Sequence, residues 1–487
     1  MNAFLNALIR KKSINDDARA DHGSGELKRS LGLFSLVMLG VGATIGTGIF
    51  FAMAEAVPKA GPAVIWSFVI ASIAAGLTAL CYAELSSFIP ASGSAYSYTY
   101  VSVGEFPAYV VGSCLLLEYA LAASATAIGW SEYLNNFLQH AIGWSIPLHL
   151  RSPLMVSGAN GLEMHWGNFN LPPIILVSMC CLLLLRGAKE SATVNGIMVL
   201  IKIAILVFFS VMAFTAFNSH NFVPFNPHGM LGHAGEKGMG IVPAAGTIFF
   251  SFIGLDTVAT AGAETDNPKR NVPLGIMLAL LIVVAAYILV ATAAMGAQPV
   301  AAFIGQEAGL SAILENVTGQ KWPAILLSAG AIISVFSVTL VLIYGQTRIL
   351  FVIGRDGLIP RIFQTIHPRT LSPVANTVIV SVMVGLIAGF VDSSYLWDMV
   401  SMGTLVAFAL VSIGVTVMRR KSPELVRGFT LPFGPWVIPG LSVVACAWIV
   451  VGLSNVTYTI FAAWIGFTVL GYAMYGIHNS KLALKRI

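Results

Sequence analysis

Twelve long runs of apolar residues constrain this chain more than any other feature. They lie at about 31–57, 63–89, 105–134, 171–186, 192–217, 241–264, 274–297, 321–353, 375–391, 395–418, 435–454 and 457–477, each bounded by Pro, Gly or charge. A helix needs roughly 20 apolar residues to cross a bilayer. Inside lipid every peptide group must find its partner within the protein, which an α-helix achieves segment by segment. Only 10% of the 487 residues are charged and 57% are hydrophobic, where a soluble domain is about a quarter charged. The pattern predicts an all-α integral membrane protein with 12 spans, numbered 1 to 12 in chain order. Span 4 is short, and span 8 is long enough to tilt or project.

Lysine and arginine set an orientation, because cytoplasmic loops carry an excess of both. With the N-terminus inside, 21 of the 26 basic residues fall on the cytoplasmic side. They include Arg10, Lys11 and Lys12, then Lys269 and Arg270, then Arg348, Arg355, Arg361 and Arg369, and finally Arg419, Arg420, Lys421 and Arg427. Lys59, Arg151, Lys237 and Lys321 fall outside, and Lys202 lies within span 5. Both termini are therefore expected in the cytoplasm. The net charge of +5 reflects this asymmetry and does not point to nucleic acid. Residues 1–30 read as a polar cytoplasmic tail without a signal peptide. The five cysteines form no CxxC pair, and the nine histidines no paired metal spacing, so neither disulfide framework nor metal site is expected. No Walker A sequence is present, so ATP is not the expected energy source. No cofactor is implied.

Span 1 is not an ordinary anchor. Gly40-Val-Gly42-Ala-Thr44-Ile45-Gly46-Thr47-Gly48-Ile-Phe50 puts four glycines and two threonines where Leu and Ile would serve better. Glycine costs a helix interior about 1 kcal/mol against alanine. Such a helix is expected to break, with a bound solute near the bilayer midplane satisfying the freed backbone. The alternative is a helix-packing face built on Gly42-xxx-Gly46. Span 6 repeats the feature in Gly246-Thr-Ile-Phe-Phe-Ser-Phe-Ile-Gly254-Leu-Asp256-Thr257. Span 6 comes five spans after span 1, and an odd number of spans per repeat inverts the second copy in the membrane. Interrupted helices at matching positions of two halves are the best sequence pointer to a transporter's site. The expected divisions are a tail at 1–30, halves at 31–217 and 241–420, two further spans within 431–478, and a tail at 479–487. Segment 90–100 reads as a small interfacial helix or a solvated connector, and Gln298–Gln320 as a cover over an extracellular entrance or a plain loop.

Several stretches together resemble the amino acid–polyamine–organocation superfamily, in particular its cationic amino acid transporter family. They are Gly42-Ala-Thr-Ile-Gly46-Thr-Gly48-Ile-Phe in span 1, Cys81-Tyr-Ala-Glu84-Leu closing span 2, and Glu118-Tyr in span 3. Asn195 with Ile201-Lys202-Ile203 in span 5 and Phe249-Phe250-Ser-Phe-Ile253-Gly254-Leu-Asp256-Thr-Val in span 6 follow. Glu264-Thr-Asp-Asn-Pro-Lys-Arg270 and Gln346-Thr-Arg348 to Arg355-Asp356-Gly357-Leu-Ile-Pro360 complete the set. The match runs from about Leu31 to Arg420. It implies a leucine-transporter-like five-plus-five inverted repeat with two C-terminal helices, and amino acid transport by alternating access.

The candidate site follows. Thr44, Ile45, Gly46, Thr47 and Gly48 would offer bare amides to a substrate carboxylate at the positive end of a half-helix. Carbonyls around Phe250 and Ile253, freed near Gly254, would accept from a substrate ammonium, with Phe250 or Phe252 as a wall. Glu118, Lys202 and Asp256 lie roughly 20, 15 and 12 Å into their spans at 1.5 Å per residue. Intramembrane charges cost at least about 2.5 kcal/mol and are functional by default, the alternative being a structural ion-pair network. In sodium-coupled proteins of this fold a cation sits between the first and eighth helices; in proton-coupled ones a lysine of the fifth helix reaches that place, and Lys202 is similar to it. The expectation is sodium-independent, proton-linked symport or exchange of cationic or neutral L-amino acids across the cell membrane. Glu84 and Arg348, with Lys269-Arg270 and Arg355-Asp356, are expected to form an inner gate. Expected partners are the amino acid, the proton and the lipid bilayer. No nucleophile or metal constellation marks an enzyme and no continuous polar pore marks a channel; a sensor that binds without flux remains the alternative.

Overall fold

The structure is a computed structural model. It describes residues 10–13, 31–89, 93–158, 161–186, 189–233, 238–262, 265–306, 309–367 and 373–484. Glu264 of the family motif, Arg19, Lys28, Arg29, Lys237, Arg369, Lys485 and Arg486 of the charge pattern, and residues 90–92 lie outside them, as does the side chain of Thr47.

Apolar composition makes helices wherever twelve or more such residues follow one another, and glycine decides where they stop. Span 1 divides into α1 (Leu33–Thr44) and α2 (Thr47–Ala60), with Ile45 and Gly46 between them in non-helical conformations. A 3-10 turn, Gly61–Ala63, leads into α3 (Val64–Ser86). Then come α4 (Ser94–Ser102) and the 38-residue α5 (Glu105–Ile142). A polar connection holds an antiparallel hairpin of β1 (Met155–Gly158) and β2 (Gly161–Met164), with Met155 opposite Met164. It is a departure from an all-helical chain, in a segment too polar and too short of helix formers to continue α5. α6 (Leu171–Arg186) and α7 (Lys189–Phe214) follow.

Span 6 divides as span 1 does. α8 (Ile241–Phe249) runs into a 3-10 turn at Phe250–Phe252, an extended Ile253, and a turn that ends in α9 (Thr257–Thr260). The remaining helices are α10 (Pro268–Ala297), α11 (Gly309–Thr318), α12 (Lys321–Arg355), α13 (Val374–Phe390), α14 (Ser394–Lys421), α15 (Val437–Val451) and α16 (Asn455–Gly471). Among the described residues eight helices are long and apolar enough to cross a membrane, and four more are apolar but shorter.

α5 and α12 form the central pair. Their contact relies on small residues, as expected where lipid supplies no hydrophobic drive between helices. Ala120, Ala122, Ala123, Ala125 and Ala127 of α5 are buried, and the Tyr119 ring sits where a side chain at Gly345 would stand. α11, within Gln298–Gln320, is an ordered helix packed on α2, α7 and α12. Segment 94–102 differs more from expectation. All nine residues of α4 are buried, against α5 and α14, so it is a packed helix and not a solvated connector. Two of its tyrosines are drawn inward by carboxylates: Tyr96 donates to Asp356 at 2.9 Å and Tyr100 to Glu105 at 2.9 Å.

The structure does not pair Glu84 with Arg348. Glu84, at the end of α3, is buried and meets the basic end of α14. Arg419 Nε donates to Glu84 Oε1 at 2.7 Å, the Leu431 amide to Oε2 at 2.8 Å, and Arg427 lies 3.4 Å away. The Arg348 guanidinium instead stacks on the Tyr344 ring, 4.8 Å from its centre. Removing one partner of a buried ion pair leaves the other uncompensated and costs about 3–5 kcal/mol. Glu84→Ala should therefore lower the midpoint of thermal unfolding, read by size-exclusion of heated protein, and an unchanged midpoint would contradict this account of Glu84.

Candidate functional site

The two helix breaks meet. Gly254, at φ +93°, takes a conformation that a side chain would disfavour, and a Cβ there would also stand 2.9 Å from Ala43 O. A Cβ on Gly48 would fall 2.4 Å from the Ser251 side chain. Both glycines thus let the backbone of one break approach the other, which a helix-packing role for Gly42-xxx-Gly46 alone does not require. Gly46 serves the same end against Val338 of α12.

A break in lipid frees carbonyls at one helix end and amides at the next. Two buried side chains take up the carbonyls. Lys202 of α7 is fully buried, and its ammonium donates to Gly42 O and Ile45 O, each at 2.8 Å. These are carbonyls of the final turn of α1 and the residue beyond it, where the helix dipole is negative. Tyr287 of α10 places its hydroxyl 2.7 Å from both Thr44 O and Ser251 O, sharing one proton between the two breaks. Asn195 adds a clip: its amide nitrogen lies 3.5 Å from Met38 O, and its oxygen accepts from Ser337 at 2.8 Å. Thr44 is satisfied locally, donating to Gly40 O at 2.8 Å.

The amide side of the α1–α2 break faces a cleft. Its walls are Ala43, Thr44, Gly46 and Gly48 of the first break, Phe250 and Ile253 of the second, Ala122 and Thr126 of α5, and Val338 and Leu342 of α12. Little of its space is wide enough for even one water, so the cleft is nearly closed as it stands and must widen to take a solute. Phe250 forms one wall, held edge-on by Trp397 with ring centres 4.4 Å apart. Phe252 turns elsewhere and packs on Tyr287. Among the described residues no charged side chain lines the cleft.

Glu118 and Asp256 form a second group. Both are buried. Asp256 Oδ2 accepts from Tyr119 at 2.9 Å and from Ser94 at 3.2 Å. Asp256 Oδ1 and both oxygens of Glu118 are buried with no hydrogen-bond partner among the described residues. A cavity beside Asp256 is lined by Tyr82, Leu255, Ile276 and Phe408. The site residues read from sequence therefore separate into three places: the cleft, the Lys202 contact behind α1, and this carboxylate pair. Tyr287 and Trp397 carry no sequence signature, because a lone aromatic in an apolar helix has none until its neighbours are known; Tyr119 is marked only as the neighbour of Glu118 in the family motif.

The model of the amino acid permease family matches residues 31–475. The branched-chain amino acid permease BcaP of Bacillus subtilis (strain 168) is 39% identical over 98% of this chain and 99% of its own length. The methylthioribose transporter of the same organism is 39% identical over 98% of this chain and all of its own. The vacuolar cationic amino acid transporter 2 of Arabidopsis thaliana is 35% identical over 86% of this chain and 64% of its own.

Tyr287→Phe leaves two buried carbonyls without their donor, at about 1–3 kcal/mol for each unsatisfied group. We expect a clear fall in thermal stability and weaker binding of any ligand that stabilises the protein, both read by thermal-shift measurement. A variant matching the parent in both would show that Tyr287 does not hold the breaks together.

Proposed function

The chain belongs to the amino acid permease family, and we propose that it is a secondary active transporter of neutral, apolar L-amino acids working by alternating access. It is a multi-pass membrane protein and not an enzyme. One observation carries the reading of substrate: the cleft is bounded by Gly46 and Gly48 at the N-terminal end of α2 and by Phe250 and Ile253 just past α8, while its remaining wall is apolar apart from Thr126. Amides at a helix N-terminus favour a carboxylate, and carbonyls at the C-terminal end of α8 favour an ammonium. Ala122, Phe250, Val338 and Leu342 then suit an aliphatic side chain. A thio-sugar, such as the name of one relative implies for that relative, has neither charge to use the two poles.

In this reading α1–α2 and α8–α9 are the matching discontinuous helices of a five-plus-five inverted repeat within twelve spans, with both termini in the cytoplasm of the cell membrane. Coupling falls to Lys202. It stands where a free cation would otherwise neutralise the carbonyl end of α1, so sodium is not needed. When the ammonium loses its proton, the hold on Gly42 O and Ile45 O weakens, and the break is free to change shape. Glu118 and Asp256 are the groups proposed to hold a proton, water or a cationic substituent beneath the cleft. The inner gate includes Glu84, through Arg419 rather than Arg348.

Reconstituted in proteoliposomes, the protein should exchange labelled branched-chain or small neutral amino acids without sodium, and a pH gradient should drive uptake. Lys202→Met should reduce uptake to background while the protein still folds. Strict dependence on sodium would refute the coupling scheme, and saturable binding without flux would identify a sensor. In a thermal-shift screen, a true substrate at 100 times its Kd should stabilise by about 2.7 kcal/mol. A shift with methylthioribose and none with amino acids would overturn the substrate assignment.

A further inference from the structure

We propose that Arg10–Lys12 is an intramolecular latch that pins α4 beneath the binding site and must release before the site opens toward the face where both tails lie. The inference rests on the alternating-access reading above, but its geometry stands apart from any substrate.

Four polar contacts attach the segment. Lys12 Nζ donates to Asp356 Oδ1 at 2.8 Å, in an ion pair whose side chains are about nine-tenths buried. The Glu105 amide donates to Arg10 O at 2.7 Å, and the Arg10 guanidinium lies 3.7 Å from the Glu105 carboxylate. Lys11 Nζ donates to Ser102 O, a carbonyl at the end of α4, where a cation meets the negative pole of the helix. Arg10–Ser13 forms neither helix nor strand. Its hold is therefore polar, and it can be undone without unpacking a core.

The same two carboxylates collect the rest of this face. Asp356, just past the end of α12, also accepts from Tyr96. Glu105, the first residue of α5, also accepts from Tyr100 at 2.9 Å and Tyr472 at 2.8 Å, and from Ser480 of the C-terminal tail. The Lys481 amide donates to Asp356 O at 3.0 Å. α4 thus has Tyr96 and Tyr100 tied to the ends of α12 and α5, its last turn tied to Lys11, and its first residue, Ser94, tied to Asp256 at 3.2 Å. It is one rigid piece between the carboxylate pair below the cleft and the tail, and the tail holds it in place.

Lys12 is the cation on which the latch depends. Burial and the nearby Lys421 pull the Lys11 ammonium down to about 8, so Lys11 carries its charge less reliably. The Lys12 ammonium also lies 5.9 Å from the Tyr100 ring centre.

Amide hydrogen exchange of the full-length protein in lipid nanodiscs, without substrate, tests the latch. In Lys12→Met the amides of 94–102 should exchange about tenfold faster or more, since removing one partner of a buried pair is strongly destabilising. The middle of α5 should keep its protection. The exchanged pair Lys12→Asp with Asp356→Lys should bring α4 back toward the parent rate. Unchanged exchange in Lys12→Met, a rise spread equally over α5 and α12, or no recovery in the exchanged pair would each overturn the latch. Uptake by the parent protein is measured separately: its absence would refute the transport reading and leave the exchange result standing.

Discussion

A peptide group freed from its helix inside lipid has no water to turn to, and that constraint organises this protein. α1–α2 and α8–α9 each lose their winding, and the cost falls on the carbonyls and amides at the breaks. The carbonyls are met from outside the broken helices, by the ammonium of Lys202 and the hydroxyl of Tyr287. The amide end is left facing the cleft. In the proposed function that open side is the one given to the carboxylate of the substrate.

Close approach makes this arrangement possible. Lys202 and Tyr287 can reach both breaks because Gly48 and Gly254 allow the two backbones to cross with nothing between them. The central pair α5–α12 supplies the rigid wall opposite, through Ala122, Thr126, Val338 and Leu342. Small residues let those two helices approach closely, whereas the breaks are held by directed polar contacts from Lys202 and Tyr287.

Much of this was legible in the sequence. Glycines at 40–48 and at 246–254 in otherwise apolar runs have no good reason to exist in a plain anchor, so the breaks announced themselves. Lys202, Glu118 and Asp256 were conspicuous because charge within a span is costly. What could not be read is which polar group meets which. Position near span ends on one side groups Glu84 and Arg348 with Lys269-Arg270 and Arg355-Asp356 but does not say which contacts which; in the fold Glu84 meets Arg419, more than three hundred residues away. The hairpin at 155–164 and the burial of α4 were also hidden, since a polar–aromatic stretch looks the same at an interface as it does around two carboxylates. Arg10, Lys11 and Lys12 counted only toward orientation, although Lys12 ends nearly buried on Asp356.

That last case bears on how such a protein changes state. A buried ion pair contributes little net stability, because desolvation offsets most of its Coulomb energy, yet losing one partner is costly. Such a contact is poorly suited to holding a fold together and well suited to distinguishing two arrangements that are otherwise close in energy. Two-state equilibria in proteins commonly differ by a few kcal/mol, which is the scale of one or two of these contacts. α4 carries polar contacts at both ends: Ser94 on Asp256 and Tyr96 on Asp356, itself paired with Lys12, at one, and Lys11 on Ser102 O at the other. A change in what Asp256 holds and a change in what the tail holds therefore act on the same short helix, and linkage requires that each alter the free energy of the other.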